Sequence, residues 1–249
     1  MDRFDRLTTL MDRFRLVVQP APLKDATLIV LQDGGGMPQR MCFRTDDARF
    51  SVSEDRVLFS ANVDWSGPSN PLLAALPAMM EINLSGDPDS IGLVMLMQSE
   101  LAGQRCGVDS VLSRLGEVLV VRMLRTQIEA GSTKPGLLAG LSDPRLSRAI
   151  VAIHDHPGRD WRNEDLAQIA GLSLSRFAEI FLAAVGEPPT AYLRRWRLIL
   201  ARQDISNGHR IDAVARRYGY SSPEGFTRAF KKHFDETPIK LRSKTSRGV

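Results

Sequence analysis

The 249-residue chain is 43% hydrophobic and carries a formal charge of +4, with 33 Lys and Arg against 29 Asp and Glu. Such apolar content excludes wholesale disorder, no run approaches the ~20 apolar residues of a membrane span, and two cysteines are too few for a disulfide scaffold or a four-thiolate zinc site. The charge is unevenly placed: residues 1–143 hold 14 basic against 18 acidic side chains, and residues 144–249 hold 19 against 11.

An acidic half joined to a basic half predicts two domains, one of which meets a polyanion. The chain opens MDRFDRLTTLMDRFR, without a signal peptide's apolar stretch, which sets the expectation of a cytoplasmic protein. Phe4, Leu7, Met11 and Phe14 predict a short amphipathic helix within 1–16. Thr27–Leu31, Arg40–Arg44 and Arg56–Ala61 are β-prone runs, divided by Gly34–Gly36, Asp46-Asp47 and Ser53–Asp55. They predict a small antiparallel sheet with tight turns.

Residues 70–84, NPLLAALPAMMEINL, begin like a capped helix at Asn70 before Pro71 and are interrupted at Pro77. A helix is predicted over 90–101. A stronger one over 109–129 carries Val111, Leu112, Leu115, Val118, Leu119, Arg122 and Met123 on a broad stripe. That stripe packs on its own domain or pairs two copies of the chain. AGSTKPG, residues 130–136, reads as linker. Cys42 and Cys106 read as reduced thiols; a redox-sensing pair is the sharper alternative, which spacing alone does not support.

Beyond the linker the pattern is wholly helical. Asp143-Pro144 opens a helix that Pro157-Gly158 ends. Asn163 caps a second, which stops at Gly171. Ser173 caps a third, with Phe177, Ile180, Phe181 and Ala184 facing inward. Helix, glycine turn, helix is the helix-turn-helix signature, whose second helix enters the major groove.

A long helix over 190–206 follows, and then the signature repeats: a helix over 210–218, the turn Gly219–Ser221, and SPEGFTRAFKKHF from Ser222. Phe177 and Phe181 recur as Phe226 and Phe230, each 49 positions later. Two reading helices about one DNA turn (~34 Å) apart are predicted. On the first, Ser173, Ser175, Arg176, Ala178 and Glu179 face outward. On the second, Glu224, Thr227 and Arg228 are the base readers, with Ser222 at the cap and Lys231 and Lys232 on phosphate. Arg228 has a structural alternative, a salt bridge to a neighbouring helix. Arg194, Arg195, Arg197 and Arg202 on the long helix are expected at the surface or on the DNA backbone.

The text DLAQIAGLSLSRFAEIFLAAVGEPPTAYLRRWRLILAR, followed by IDAVARRYGYSSPEGFTRAFKKHFDETP, resembles the DNA-binding domain of the AraC/XylS family of transcription regulators. The likeness covers roughly two fifths of the chain. Asp235, where many members carry glycine, and Leu241, often tyrosine, depart from the family pattern. The N-terminal half resembles, more faintly, the cupin-like sensory domains of such regulators, short by a strand or two. The resemblance implies an α+β protein of two domains: a small cupin-like β-barrel or sheet with helices over 1–130, a linker over 131–142, and an all-α tandem helix-turn-helix domain over 143–249. The units fall at about 163–184 and 211–234. The implied partners are double-stranded promoter DNA, RNA polymerase, a small-molecule effector and a second copy of the chain through about 109–129.

No cofactor or catalytic role is expected. A metal-dependent cupin enzyme needs clustered histidines on strands, but His154, His156, His209 and His233 all lie in the helical half. The pair His154 and His156, ahead of Pro157, is expected at a cap or on the surface.

Overall fold

The computed structural model describes residues 5–14, 16–46, 48–65, 70–131 and 134–245. They fall into two compact units: Met11–Gly131, and Ser132–Val249 together with the segment up to Leu10. The N-terminal unit therefore begins at residue 11 rather than 1. Arg6 donates to the Leu141 carbonyl at 2.9 Å, Thr9 hydrogen-bonds Asp155, and Leu7 and Leu10 are buried, which places residues 5–10 with the helical unit. The opening helix is short, α1 (Thr8–Arg13), with the Asp5 carboxylate accepting from the backbone of Leu7 and Thr8 ahead of it. Phe4 lies outside the described residues.

In the first unit β1 (Val17–Pro20), β2 (Leu28–Gln32), β3 (Pro38–Arg44), β4 (Val57–Asp64) and β5 (Met79–Asn83) form one antiparallel sheet in the order β1-β4-β2-β3-β5. The three β-prone runs correspond to β2, β3 and β4. Leu28 to Leu31 are all buried, because β2 is central and covered on both faces, so the sequence there shows no alternation. The hairpin between β2 and β3 turns at Gly34–Gly36: the Asp33 carboxylate accepts from Gly35 and Met37, and Gly36 sits at φ +85°.

Residues 70–84 differ from expectation. Asn70 does cap a helix, accepting from the Leu72 N–H at 2.8 Å, but α2 (Pro71–Ala75) is only about one turn long. Leu76 is extended, as a residue before proline prefers. Met79–Asn83 then becomes β5, with Met41 opposite Ile82 and Cys42 opposite Glu81. The open edge of β3 offers backbone partners that a fragment of helix after Pro77 lacks.

Two helices complete the unit, α3 (Pro88–Gly103) and α4 (Val108–Ala130). α4 lies on β1 so closely that a Cβ at Gly116 would stand 2.5 Å from Val18. Arg122, expected on the apolar stripe, instead pins the start of α3: it pairs with Asp87, donates to Ser90 Oγ at 2.8 Å and reaches Asp89 at 3.3 Å.

The second unit is helical. α5 (Leu137–Ser142) occupies the later part of the expected linker, because Leu137, Leu138 and Leu141 bury themselves in this unit. Residues 132 and 133 of that linker lie outside the described residues. Then come α6 (Leu146–Asp155), α7 (Asn163–Ala170), α8 (Leu174–Val185), α9 (Pro189–Ser206), α10 (Ile211–Arg217), α11 (Pro223–Phe234) and α12 (Pro238–Thr245). Asn163 is the first residue of α7 rather than its cap; the Asp165 carboxylate accepts from the Arg162 N–H at 3.1 Å. Among the described residues, no single helix is long and apolar enough to cross a membrane.

Candidate nucleic-acid interface

Each helix-turn-helix unit is set by the same local chemistry. α7 ends at Gly171, left-handed at φ +69°, and the Leu172 N–H closes back on the Ala167 carbonyl. Ser173 Oγ then accepts from the Arg176 N–H at 3.4 Å and starts α8. α10 ends before Gly219, at φ +74°, with Tyr220 N–H on the Ala215 carbonyl. Ser222 Oγ accepts from Gly225 at 3.1 Å and Pro223 takes the first helical position.

Matching aromatics fix both second helices. Phe177 and Phe181 are fully buried with ring centroids 5.4 Å apart, and Phe226 and Phe230 are buried 5.6 Å apart. These positions are core, which leaves the opposite faces of α8 and α11 turned outward.

On α11, Glu224, Arg228, Lys231 and Lys232 are exposed and Thr227 is half-buried. Arg228 and both lysines have no ion-pair partner among the described residues, so the salt bridge to a neighbouring helix that was the alternative for Arg228 is not formed there. On α8, Ser175, Arg176 and Glu179 are exposed and Ala178 is half-buried. Arg176 and Glu179 pair with each other at 2.9 Å, so this face is close to self-neutral. Ser173 and Ser222 both spend their hydroxyls as caps.

Sequence reasoning passed over Leu174, which stands 43% exposed at the start of α8. An apolar residue at that point suits contact with a thymine methyl. Its signal was its place directly after the cap, ahead of the inward-facing Phe177. At the foot of α11 a groove of about 530 Å³ is lined by Arg210, Ile211, Asp212, Thr227, Ile239 and Arg242, among others.

The arginines of α9 are mostly committed inward, against expectation. Arg195 pairs with Glu187 at 2.6 Å and lies over the Tyr192 ring. Arg202 pairs with Glu236 at 3.4 Å and lies over Phe234. Arg197 donates to two backbone carbonyls. Arg194 alone of the four is exposed.

His154, expected at a cap or on the surface, is buried in this unit. Its Nε2 lies 2.6 Å from the Tyr192 hydroxyl, and its ring stacks on Trp196 with centroids 4.0 Å apart. Burial, with Arg195 adding to it, holds its pKa down to about 3, so the ring stays neutral and ties α6 to α9. At the other end of α9, Asp204 accepts from Arg217 at 2.6 Å and from the Tyr218 hydroxyl at 2.8 Å, holding α10.

In the sheet unit Cys42 is buried in an apolar cluster with Ala26, Ile29, Leu31 and Phe50, and burial pushes its thiol up to about 11. Cys106 is exposed. Among the described residues no group of three or more His, Cys, Asp or Glu side chains is arranged to hold a metal ion.

Comparison with known proteins agrees with this division. A helix-turn-helix domain model matches residues 166–244 and a cupin model matches 11–129. The chain is 34% identical to the HTH-type transcriptional regulator AlkR of Acinetobacter baylyi over 184 residues, covering 71% of this chain and 59% of that protein. It is 31% identical to a putative AraC-like transcription regulator of Streptomyces antibioticus, covering 77% of this chain and 65% of that one. It is 30% identical to the RCS-specific HTH-type transcriptional activator RclR of Escherichia coli, covering 78% and 63%. The chain thus spans about three fifths of the length of these relatives.

Proposed function

The chain belongs to the AraC-type transcriptional regulators, a cupin domain preceding a helix-turn-helix domain, and on that premise we propose that it binds promoter DNA sequence-specifically through α8 and α11. The observation that carries the reading is the outward face of α11: three cations without an acidic partner among the described residues, on a helix locked from behind by Phe226 and Phe230. Glu224, Thr227 and Arg228 are the base readers there, and Lys231 and Lys232 take phosphate. Ser175, Arg176, Ala178 and Glu179 serve α8, with Ser173 and Ser222 at the two caps. Binding of this kind places the protein with the chromosome in the cytoplasm, and with RNA polymerase at the promoter. No step in it is enzymatic.

Selection from a random DNA pool tests the reading. A single enriched sequence class, bound with a salt dependence equivalent to several released counterions, supports it. A pool that stays random after repeated rounds contradicts it.

The cupin unit supplies control, by a small molecule or redox signal, or else by self-association alone. The outward face of α3 and α4 favours self-association. Leu96 and Val118 are each 47% exposed there, beside an open groove of about 910 Å³ that also takes in Leu93, Arg114 and Arg125. Of the cysteines, Cys106 is the accessible one; Cys42 remains a protonated thiol at neutral pH, which does not suit a thiolate sensor.

A further inference from the structure

The two helix-turn-helix units are joined by α9, and one side chain on that helix touches both sides of the joint. Arg197 is half-buried, and its Nε and Nη2 donate to the carbonyls of Pro157 and Arg159, each at 2.7 Å. Those carbonyls belong to the loop that leads from α6 into α7, so the guanidinium holds the first unit's loop on α9. The same loop is stiffened from within: Trp161 Nε1 donates to the His156 carbonyl at 2.9 Å, and Arg159 lies over the indole.

The same guanidinium also lies against the second helix-turn-helix unit. A Cβ built at Gly219, in the turn before α11, would stand 3.2 Å from Arg197 Nη2 and 3.3 Å from the Gly158 carbonyl. The loop also meets the second unit directly. A Cβ at Gly158 would fall 2.2 Å from the carbonyl oxygen of Arg217, the last residue of α10, so the two backbones touch where any side chain would part them.

The bonds from α9 to each unit separately, His154 to Tyr192 on one side and Asp204 to Arg217 on the other, leave the units free to differ in their setting about that helix. A direct contact between them removes the freedom, because two points of attachment define an orientation. A planar guanidinium suits the task, donating to two carbonyls at once while its Nη2 and Cζ stay close to the Gly219 turn; a lysine ammonium has no such fork.

We propose that Arg197, seated between the Gly158 loop and the Gly219 turn, is a positioning residue that locks the second helix-turn-helix unit on the first. α8 and α11 then meet DNA as one rigid body with a fixed spacing between their segments. The proposal rests on the reading of both helices as DNA contacts. A locked pair gains the second contact almost as an intramolecular event at the right spacing and loses it at any other; a loose pair gains less but tolerates both.

The test uses the full chain and its selected two-segment site. It adds versions of the site with either segment scrambled and one with a single base pair inserted between the segments. The proteins are wild type, Arg197→Gln, Arg197→Lys and Gly158→Ala, each checked for folding by thermal melting. Wild type should lose about tenfold or more on the inserted site. All three variants should bind each single-segment DNA within about twofold of wild type, lose about tenfold on the full site, and bind the inserted site as well as the full one.

Gly158→Ala carries no change in charge, so its loss cannot come from a missing phosphate contact, and it carries the test if Arg197→Gln fails to fold. Variants that keep the wild-type ratio between full and inserted sites overturn the proposal. So does an equal loss on single-segment DNA, which a merely structural or phosphate-binding role produces. If wild type selects only one segment, the reading beneath fails and the joint with it.

Discussion

At the level of single residues, the proposed function divides the face of α11 into positions that read bases and positions that anchor phosphate. Arg228 is exposed without an acidic partner among the described residues, so truncation leaves no orphaned carboxylate behind. Arg228→Ala should cost about 1–3 kcal/mol on the selected site and relax preference at one or two positions. Lys231→Ala should weaken all sequences alike and lower the salt slope by about one. Titration of both variants by fluorescence anisotropy at two salt concentrations separates the roles.

Asp235 explains one departure from the family pattern. It ends α11 at φ +54°, a left-handed conformation that costs least for glycine. Asp235→Gly should therefore raise stability by about 0.5–1 kcal/mol in denaturant unfolding. His154 sets a pH dependence of stability. The folded protein holds it neutral with a pKa of about 3, against 6.5 for an unperturbed histidine. The unfolded chain binds the proton first, so stability is full above pH ~6.5 and falls as pH drops toward 3, by ~1.4 kcal/mol per unit for this one group. Thermal melts between pH 7.5 and 5 should show that decline in wild type and a flatter one in His154→Gln.

At the level of elements, the helical half was legible wherever a cap, a glycine stop and an aromatic repeat coincided. Ser173 and Ser222 cap as expected, Gly171 and Gly219 turn as expected, and Phe177, Phe181, Phe226 and Phe230 are core. What escaped was what depends on partners distant in sequence. β5 reads locally as the tail of a helix and becomes a strand because β3 offers it an edge. His154 looks like a helix-end residue and is buried because Tyr192 and Trp196, about 40 positions on, close over it. Arg195, Arg197 and Arg202 resemble surface cations and are spent on the protein's own carboxylates, rings and carbonyls.

The outward face of α4 is the element whose role was left open between internal packing and self-pairing. Its inner side packs on β1 and its outer side exposes Val118 beside Leu96 of α3. A Val118→Glu variant should be monomeric at concentrations where wild type sediments as a dimer. A wild type that is monomeric by analytical ultracentrifugation would remove the self-association reading.

At the level of the whole molecule, charge asymmetry separates an acidic half from a basic one, and the proposed DNA contacts lie in the basic half. It could not show that residues 5–10 return to the helical unit, which rests on Arg6, Thr9 and two buried leucines. Nor did it show where in the sheet unit a signal would act. The central claim of the proposed function concerns the helical unit: α8 and α11 read two adjacent major-groove segments. Methylation interference at guanine N7, which lies in the major groove, tests this most directly on the selected site with the full chain. Two clusters of interfering guanines about 10 base pairs apart on one face of the duplex are predicted. A single cluster, or binding indifferent to N7 methylation throughout, would contradict it.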